Sequence, residues 1–229
     1  GKPVEFNDED YRHPEHPEIF VVSNLKVPKG EKKIGMERVG YYWHSDSSFM
    51  PDPLPLTMLH ARVVPKDQGQ TAFIDMNKVY QELPKTIQAM IDNRWAPHEG
   101  KWRYLVTEKD IGLSLQDLLD RDAALLPAPV HPLVVVHPVT KRKSLYITEG
   151  ISKRILGIDS DASDSLMSAL EHRAWNDDSQ YKHQWEQGDL LIWDNRSLNH
   201  RAWAAAAGQD RLMYRIGLND GAFFGKTDC

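Results

Sequence analysis

The sequence predicts a mainly β protein with helical excursions, built as an antiparallel barrel or sandwich rather than a doubly wound parallel sheet. Short apolar or alternating runs recur along the chain, prolines and turn residues separate them, and few stretches carry helical spacing. A dinucleotide-binding glycine pattern and a nucleotide phosphate loop are both absent, as is any internal repeat.

IFVVSNL (19–25) is the first candidate strand, followed by PKGEKK and then KKIGMERVG (32–40), which has two glycines and no helical stripe. YYWHSDSSF brings strand-favouring aromatics before PDPLP (51–55) interrupts, and LTMLHARVV (56–64) resumes as a strand. Asp67-Gln68-Gly69-Gln70 reads as a turn into TAFID (71–75). Pro84 suits the first turn of a helix whose Ile87, Met90 and Ile91 share one side. Residues 95–128 are mixed and read as a partly helical excursion, a lid or insertion in a single domain spanning 1–229. VHPLVVVHPV (130–139) and KRKSLYI (141–147) recover strand character. Asp161 to Trp175 reads as a helix with Leu166, Ala169 and Leu170 near one face and early aspartates at its amino end. YKHQW, DLLIWDN and RLMYRIG supply the last strands.

Composition narrows the function classes. The 229 residues suffice for one domain with a sizeable core, and 41% are hydrophobic. Lys and Arg total 28 against 33 Asp and Glu, a formal charge of -5, which argues against nonspecific nucleic-acid binding. Cys229 is the only cysteine, so an intrachain disulfide and a thiolate zinc site are both excluded. No stretch has the apolar length to span a bilayer, and no membrane partner is expected. Cysteine scarcity agrees with a cytoplasmic location, and nothing in the composition decides against a homo-oligomer.

WHSDSSF (43–49) sets a histidine and an aspartate two positions apart. On a strand, His44 and Asp46 would share a face roughly 7 Å apart along the backbone, near enough to converge on one ion. A pair alone is also an ordinary polar break in a buried strand. His131 and His137 offer third ligands but also read as strand ends. His200, in WDNRSLNHRA (193–202), is the better candidate, against the plain alternative of a buried histidine bonded to a backbone carbonyl. With His44 and Asp46 it completes a two-histidine, one-carboxylate set, which suits non-haem Fe(II) and leaves positions open for other ligands. In DRLMYRIGL, a strand over 211–216 would point Arg211, Met213 and Arg215 the same way. Two buried guanidiniums need anionic partners, and a cavity holding anions supplies them. Surface salt bridges are the alternative for each.

WHSDSSF, GQTAFIDM, WDNRSLNH and RLMYR, in that order, resemble the TauD/TfdA group of Fe(II)- and 2-oxoglutarate-dependent dioxygenases from about residue 40 onward, excluding much of the 95–130 excursion. The resemblance implies a double-stranded β-helix, the cupin-like jelly roll. It implies that His44, Asp46 and His200 hold iron, and that Arg211 with the hydroxyl of Thr71 grips the far carboxylate of 2-oxoglutarate. It sets Arg215 at a position that in sulfonate-oxidising members faces the acidic group of the substrate. The implied reaction consumes O2 and 2-oxoglutarate, releases succinate and CO2, and oxidises a small anionic organic substrate. Related halogenases replace the carboxylate ligand with a small residue, so Asp46 favours hydroxylation over halogenation. Desaturation, cyclisation or oxidative remodelling in natural-product biosynthesis is the alternative with the same cofactors, and a noncatalytic jelly-roll binding protein is the alternative without chemistry. Members of the group usually carry more chain ahead of the first iron-binding histidine than the 43 residues here, so either the chain is a short member or amino-terminal residues are missing. Tyr42, Trp43, Trp102 and Tyr104 could line an aromatic pocket or simply pack, and Asn195 and Asn199 could orient the distal histidine loop or simply bond within turns.

Overall fold

The computed structural model describes residues 1–6, 8–103, 110–125, 128–175, 178 and 180–225. Its main sheet contains β1 (Lys2–Pro3), β2 (Phe20–Ser23), β3 (Leu56–Val63), β10 (Leu190–Asp194) and β12 (Leu212–Asn219). β12 lies beside β3, which lies beside β10, and β1 and β2 pair with opposite ends of β12. A second sheet has β4 (Thr71–Asp75) between β11 (Leu198–Ala202) and β9 (Gln180–His183). The pairs β5 (Trp95–Pro97) with β6 (Val130–Pro132) and β7 (Val134–Val136) with β8 (Lys143–Leu145) complete the strands. All pairings between these strands are antiparallel, and the fold is a jelly roll.

Strand alternation explains both cores. Phe73 of β4 turns toward the main sheet and joins Phe20, Val22, Leu59, Ala61, Trp185, Trp193 and Met213 between the two sheets. Its neighbours Ala72 and Ile74 turn the other way, into a cluster with Val79 and Tyr80 of α1 (Met76–Glu82), Ile91 of α2 (Lys85–Ile91), and Leu166 and Leu170 of α4 (Ser160–Ala174). Burying each Leu or Ile side chain of this kind contributes about 1.5–3 kcal/mol.

The helices have local causes. Asp75 ends β4 and caps α1, its carboxylate accepting from the Asn77 and Lys78 amides. The strand expected over 71–75 is β4, whereas α1 behind it is not expected from the sequence. Asp159 caps α4 in the same way, and Asp161 lies in its first turn as expected, where its charge suits the amino end. In α4 the buried stripe is Ser163, Leu166, Met167, Leu170 and Ala174, while Ala169 is exposed. In α2, Ile91 is buried and Ile87 packs on the core, but Met90 is exposed, so the expected three-residue stripe is narrower. Of the expected insertion over 95–128, β5, a 3-10 turn at Gly100–Arg103 and α3 (Leu115–Leu125) are described, and 104–109 and 126–127 lie outside the described residues.

WHSDSSF is not a strand. Only His44 pairs with β11, through a bridge to His200, and the chain then turns sharply with Ser47 at a φ of 56°.

Candidate metal centre

Three parts of the fold meet at one end of the space between the sheets. Residues 40–44 lie along the free edge of β11: the His44 amide donates to His200 O at 3.0 Å, the His200 amide to His44 O at 2.9 Å, and the Ala202 amide to Gly40 O at 2.7 Å. His200 shares the inward parity of Phe73, its partner on β4. Thr57 of β3 and Arg215 of β12 point inward from the main sheet, and Asp46, on the turn after His44, meets them there.

The donor atoms of His44, Asp46 and His200 all lie within 4.8 Å of one another, and all three residues are buried. His44 Nε2 is 3.7 Å from Asp46 Oδ1, and His200 Nε2 is 3.8 Å from Asp46 Oδ2. The two imidazole centroids are 4.1 Å apart. His44 Nδ1 lies 2.7 Å from the carbonyl of Tyr42, which can only accept, so Nδ1 carries the proton and Nε2 keeps its lone pair for a ligand.

Burial pushes the pKa of both imidazoles down, and for His200 the neighbouring His44 pushes the same way. Both are neutral at pH 7. For Asp46, burial acts to raise the pKa, but the Arg215 guanidinium, with the Thr57 hydroxyl, outweighs it and holds the carboxyl well below the usual range. Arg215 Nη2 is 2.7 Å from Oδ1, and Thr57 Oγ1 donates to Oδ2 at 2.6 Å. A carboxylate has about four acceptor positions, so each oxygen keeps one for a metal. Two neutral imidazoles and one ionised carboxylate fit a divalent first-row metal such as Fe(II).

Arg211 sits just before β12, its amide fixed by Asn24 Oδ1 at 2.6 Å. It borders a cavity of about 310 Å³ with Ser23, Asn24, Arg38 and Tyr41. Its Nε is buried without a hydrogen-bond partner, a vacancy that suits a bound carboxylate. Thr71 is buried too, but it does not line this cavity, and its hydroxyl accepts from Trp185 Nε1 at 3.0 Å.

The other candidates go elsewhere. His137 Nε2 lies 2.9 Å from Asp194 Oδ2, while its Nδ1 accepts from the Val139 and Thr140 amides. His131 contacts the Met50 carbonyl at 3.1 Å and packs against His98. Neither joins the metal centre. Trp43 is a core residue, whereas the Tyr42 ring lies 4.8 Å from His44. The side chains of Trp102 and Tyr104 lie outside the described residues. Asn199 donates to the Ile147 carbonyl.

Sequence reading missed Gly40 and Thr57. A Cβ on Gly40 would stand 2.7 Å from His44 Cε1, so glycine gives the first ligand room, and its φ of +68° suits a residue without a side chain. Thr57 had only a faint signal, one hydroxyl at an inward position of a strand whose next inward residues are Leu59 and Ala61.

The sequence and the fold have known counterparts. A family model described as taurine catabolism dioxygenase TauD, TfdA family matches residues 2–216. The chain belongs to the TauD/TfdA family. It is 34% identical over 177 residues to the (S)-phenoxypropionate/alpha-ketoglutarate-dioxygenase of Sphingobium herbicidovorans, covering 75% of this chain and 60% of that protein. It is 32% identical over 213 residues to the pentalenolactone F synthase of Streptomyces arenae, covering 89% of this chain and 70% of that one. The crystal structure of AAD-2 in complex with Mn(II) and N-oxalylglycine superposes with a TM-score of 0.67 at 30% identity, over 79% of this chain and 68% of that one. The TauD/TfdA chain described here thus spans about three fifths of its Sphingobium relative's length.

Proposed function

We propose that this TauD/TfdA chain is an Fe(II)- and 2-oxoglutarate-dependent dioxygenase that hydroxylates a small anionic organic substrate. The observation that carries the reading is the convergence of His44, Asp46 and His200 within 4.8 Å. Bound Fe(II) would supply the oxidising chemistry, with O2 and 2-oxoglutarate consumed and succinate and CO2 released.

The chain's residues divide the remaining work. His44 and His200 present neutral nitrogens, and Asp46 is held ionised by Arg215 and Thr57. Arg211 offers its buried guanidinium to the far carboxylate of 2-oxoglutarate, a role supported by the partnerless Nε beside the cavity. We assign Thr71 to the same carboxylate on the family resemblance, its hydroxyl oxygen accepting from Trp185 and its proton left to donate. Arg215, with its guanidinium on Asp46, binds the acidic group of the substrate beside the metal and shares itself between the two. The Sphingobium relative's name carries a carboxylate substrate, (S)-phenoxypropionate, which agrees with that chemistry. The whole of 1–229 acts as one domain, with 95–128 as an insertion.

The test is anaerobic loading with Fe(II) and 2-oxoglutarate, a screen of small carboxylates, sulfonates and sulfate esters for a change in the iron spectrum, and succinate measurement once O2 is admitted. Substrate-stimulated succinate supports the proposal; none across the panel, with iron bound, favours a noncatalytic binding protein. The Streptomyces relative is a synthase by name, so a second reading assigns the same cofactors to oxidative remodelling of a natural product. Product mass separates the two, since hydroxylation adds one oxygen atom and desaturation removes two hydrogens.

A further inference from the structure

We infer that Trp193, Asn195 and Thr57 form a one-way hydrogen-bond relay that positions Asp46 for metal binding, an inference that rests on the metal-centre reading above. The direction of each bond follows from what each group can donate. Trp193 Nε1 is a donor only, and it lies 2.9 Å from Asn195 Oδ1. The Asp46 amide, also a donor only, points at the same oxygen from 3.4 Å. The Asn195 amide is thereby fixed with its nitrogen facing Thr57, and Nδ2 donates to Thr57 Oγ1 at 2.9 Å. With that lone pair occupied, the single hydroxyl proton of Thr57 goes to Asp46 Oδ2 at 2.6 Å.

Every member of the relay is buried, with Thr57 at 0% exposure and Asn195 at 1%, so no solvent competes for these bonds. The main chain of Asn195 is fixed as well: its amide donates to Pro55 O at 2.8 Å, and its carbonyl accepts from Ser45 Oγ at 2.9 Å. Ser45, the Asp46 amide and the residue that leads into β3 are therefore all tied to one asparagine. Trp193 also packs its ring 4.7 Å from the ring of His200, so the same indole steadies one ligand by contact and another by its N–H. Arg215 holds Oδ1 and the relay holds Oδ2, which fixes the plane of the carboxylate and leaves one position on each oxygen for the metal. These are positioning residues; Thr57, Asn195 and Trp193 act on the metal through Asp46.

The test uses Co(II) as the probe, titrated anaerobically into the metal-free full chain, with its visible d–d bands and its affinity as readouts and thermal unfolding of the metal-free protein as a fold control. Thr57→Val removes the hydroxyl while keeping the shape, and is expected to weaken Co(II) binding about 10- to 100-fold and shift the bands. Thr57→Ser keeps the hydroxyl and is expected to restore both. A Val variant with wild-type affinity and bands overturns the relay, as does a Ser variant as weak as Val. Should Thr57→Val fail to fold, Trp193→Phe decides: it keeps a ring against His200 but lacks the N–H, so shifted bands support the relay and unchanged bands overturn it. A wild-type chain that takes up no Co(II) removes the metal-centre reading and the relay together, whereas a wild type that binds beside variants that bind equally well removes the relay alone.

Discussion

Two guanidiniums stand differently in the structure. Arg211 is buried beside a cavity and its Nε has no partner, whereas Arg215 already pairs with a ligand carboxylate. Arg211→Ala is therefore expected to weaken 2-oxoglutarate binding about 10- to 100-fold, the loss of one charge-assisted clasp, with little change in Co(II) affinity. Arg215→Ala is expected to weaken the anionic substrate more than 2-oxoglutarate, and also to raise the pKa of Asp46. Separate titrations of cosubstrate and substrate check the split, and equal losses from both variants would refute it. The imidazoles set the acid response of metal uptake. Because burial lowers their pKa values, His44 and His200 stay neutral through the ordinary histidine range, and proton competition at these rings begins only below about pH 6.5. Co(II) occupancy is expected to be flat from neutral pH down to that point and to fall beneath it, which a spectroscopic pH titration reads directly. A decline centred above neutral pH would contradict neutral buried imidazoles.

At the scale of elements, the segment before Asp46 shows what a sequence discloses and what it hides. The alternation rule paired His44 with Asp46 on a strand, yet the two converge through a single backbone bridge followed by a turn with Ser47 in the left-handed region. Residue types carried the ligand set; the path of the chain did not follow, because a tight turn can bring i and i+2 together as well as a pleat can. The polar run WDNRSLNHRA reads as a loop or the edge of a neighbouring strand, and His200 lies within β11. Thr57 was illegible for a different reason, since a β-branched residue in a strand needs no function to explain it. Jelly-roll pairing was legible only as a class: alternation marks strands, but which strand neighbours which depends on contacts far apart in sequence. Gly40→Ala tests the segment itself. The new methyl would press on His44 and demand a left-handed alanine, so a stability loss of about 1–2 kcal/mol with weaker Co(II) binding is expected from urea unfolding and titration. Far from the site, Asp159→Ala removes the α4 cap and is expected to cost about 1 kcal/mol in the same unfolding assay while leaving Co(II) affinity unchanged.

For the whole molecule, acid stability turns on a buried cluster that the metal centre does not use. His98 is fully buried, its ring stacked 5.1 Å from Tyr146 and edge-on to His131 at 5.0 Å, with Ser152 Oγ 3.1 Å from Nε2. Burial first, then the neighbouring His131, lowers its pKa to about 3. A histidine free in the unfolded chain titrates near about 6.5, so between those values the unfolded state binds a proton that the folded state refuses. Stability from this residue is fully present above the unfolded value and drains as pH falls, by up to about 1.4 kcal/mol per pH unit. His44 and His200 act in the same direction in the metal-free protein. The unfolding midpoint of the metal-free chain is expected to drop steadily below about pH 6.5, and His98→Gln is expected to flatten part of that slope. Calorimetry across pH measures both, and an unaltered slope in the variant would assign the acid sensitivity to other groups. Among the described residues no helix is long and apolar enough to cross a membrane.

The reciprocal amide bonds between positions 44 and 200 make the gap between the two imidazoles a property of main-chain register. The mount is set by the main chain, and the aim of each ring by the Tyr42 carbonyl and the Trp193 indole. A cysteine or glutamate at either position would start from the same backbone anchor but lose those orienting contacts, so the frame and the fine aim of the two rings are set by different parts of the chain.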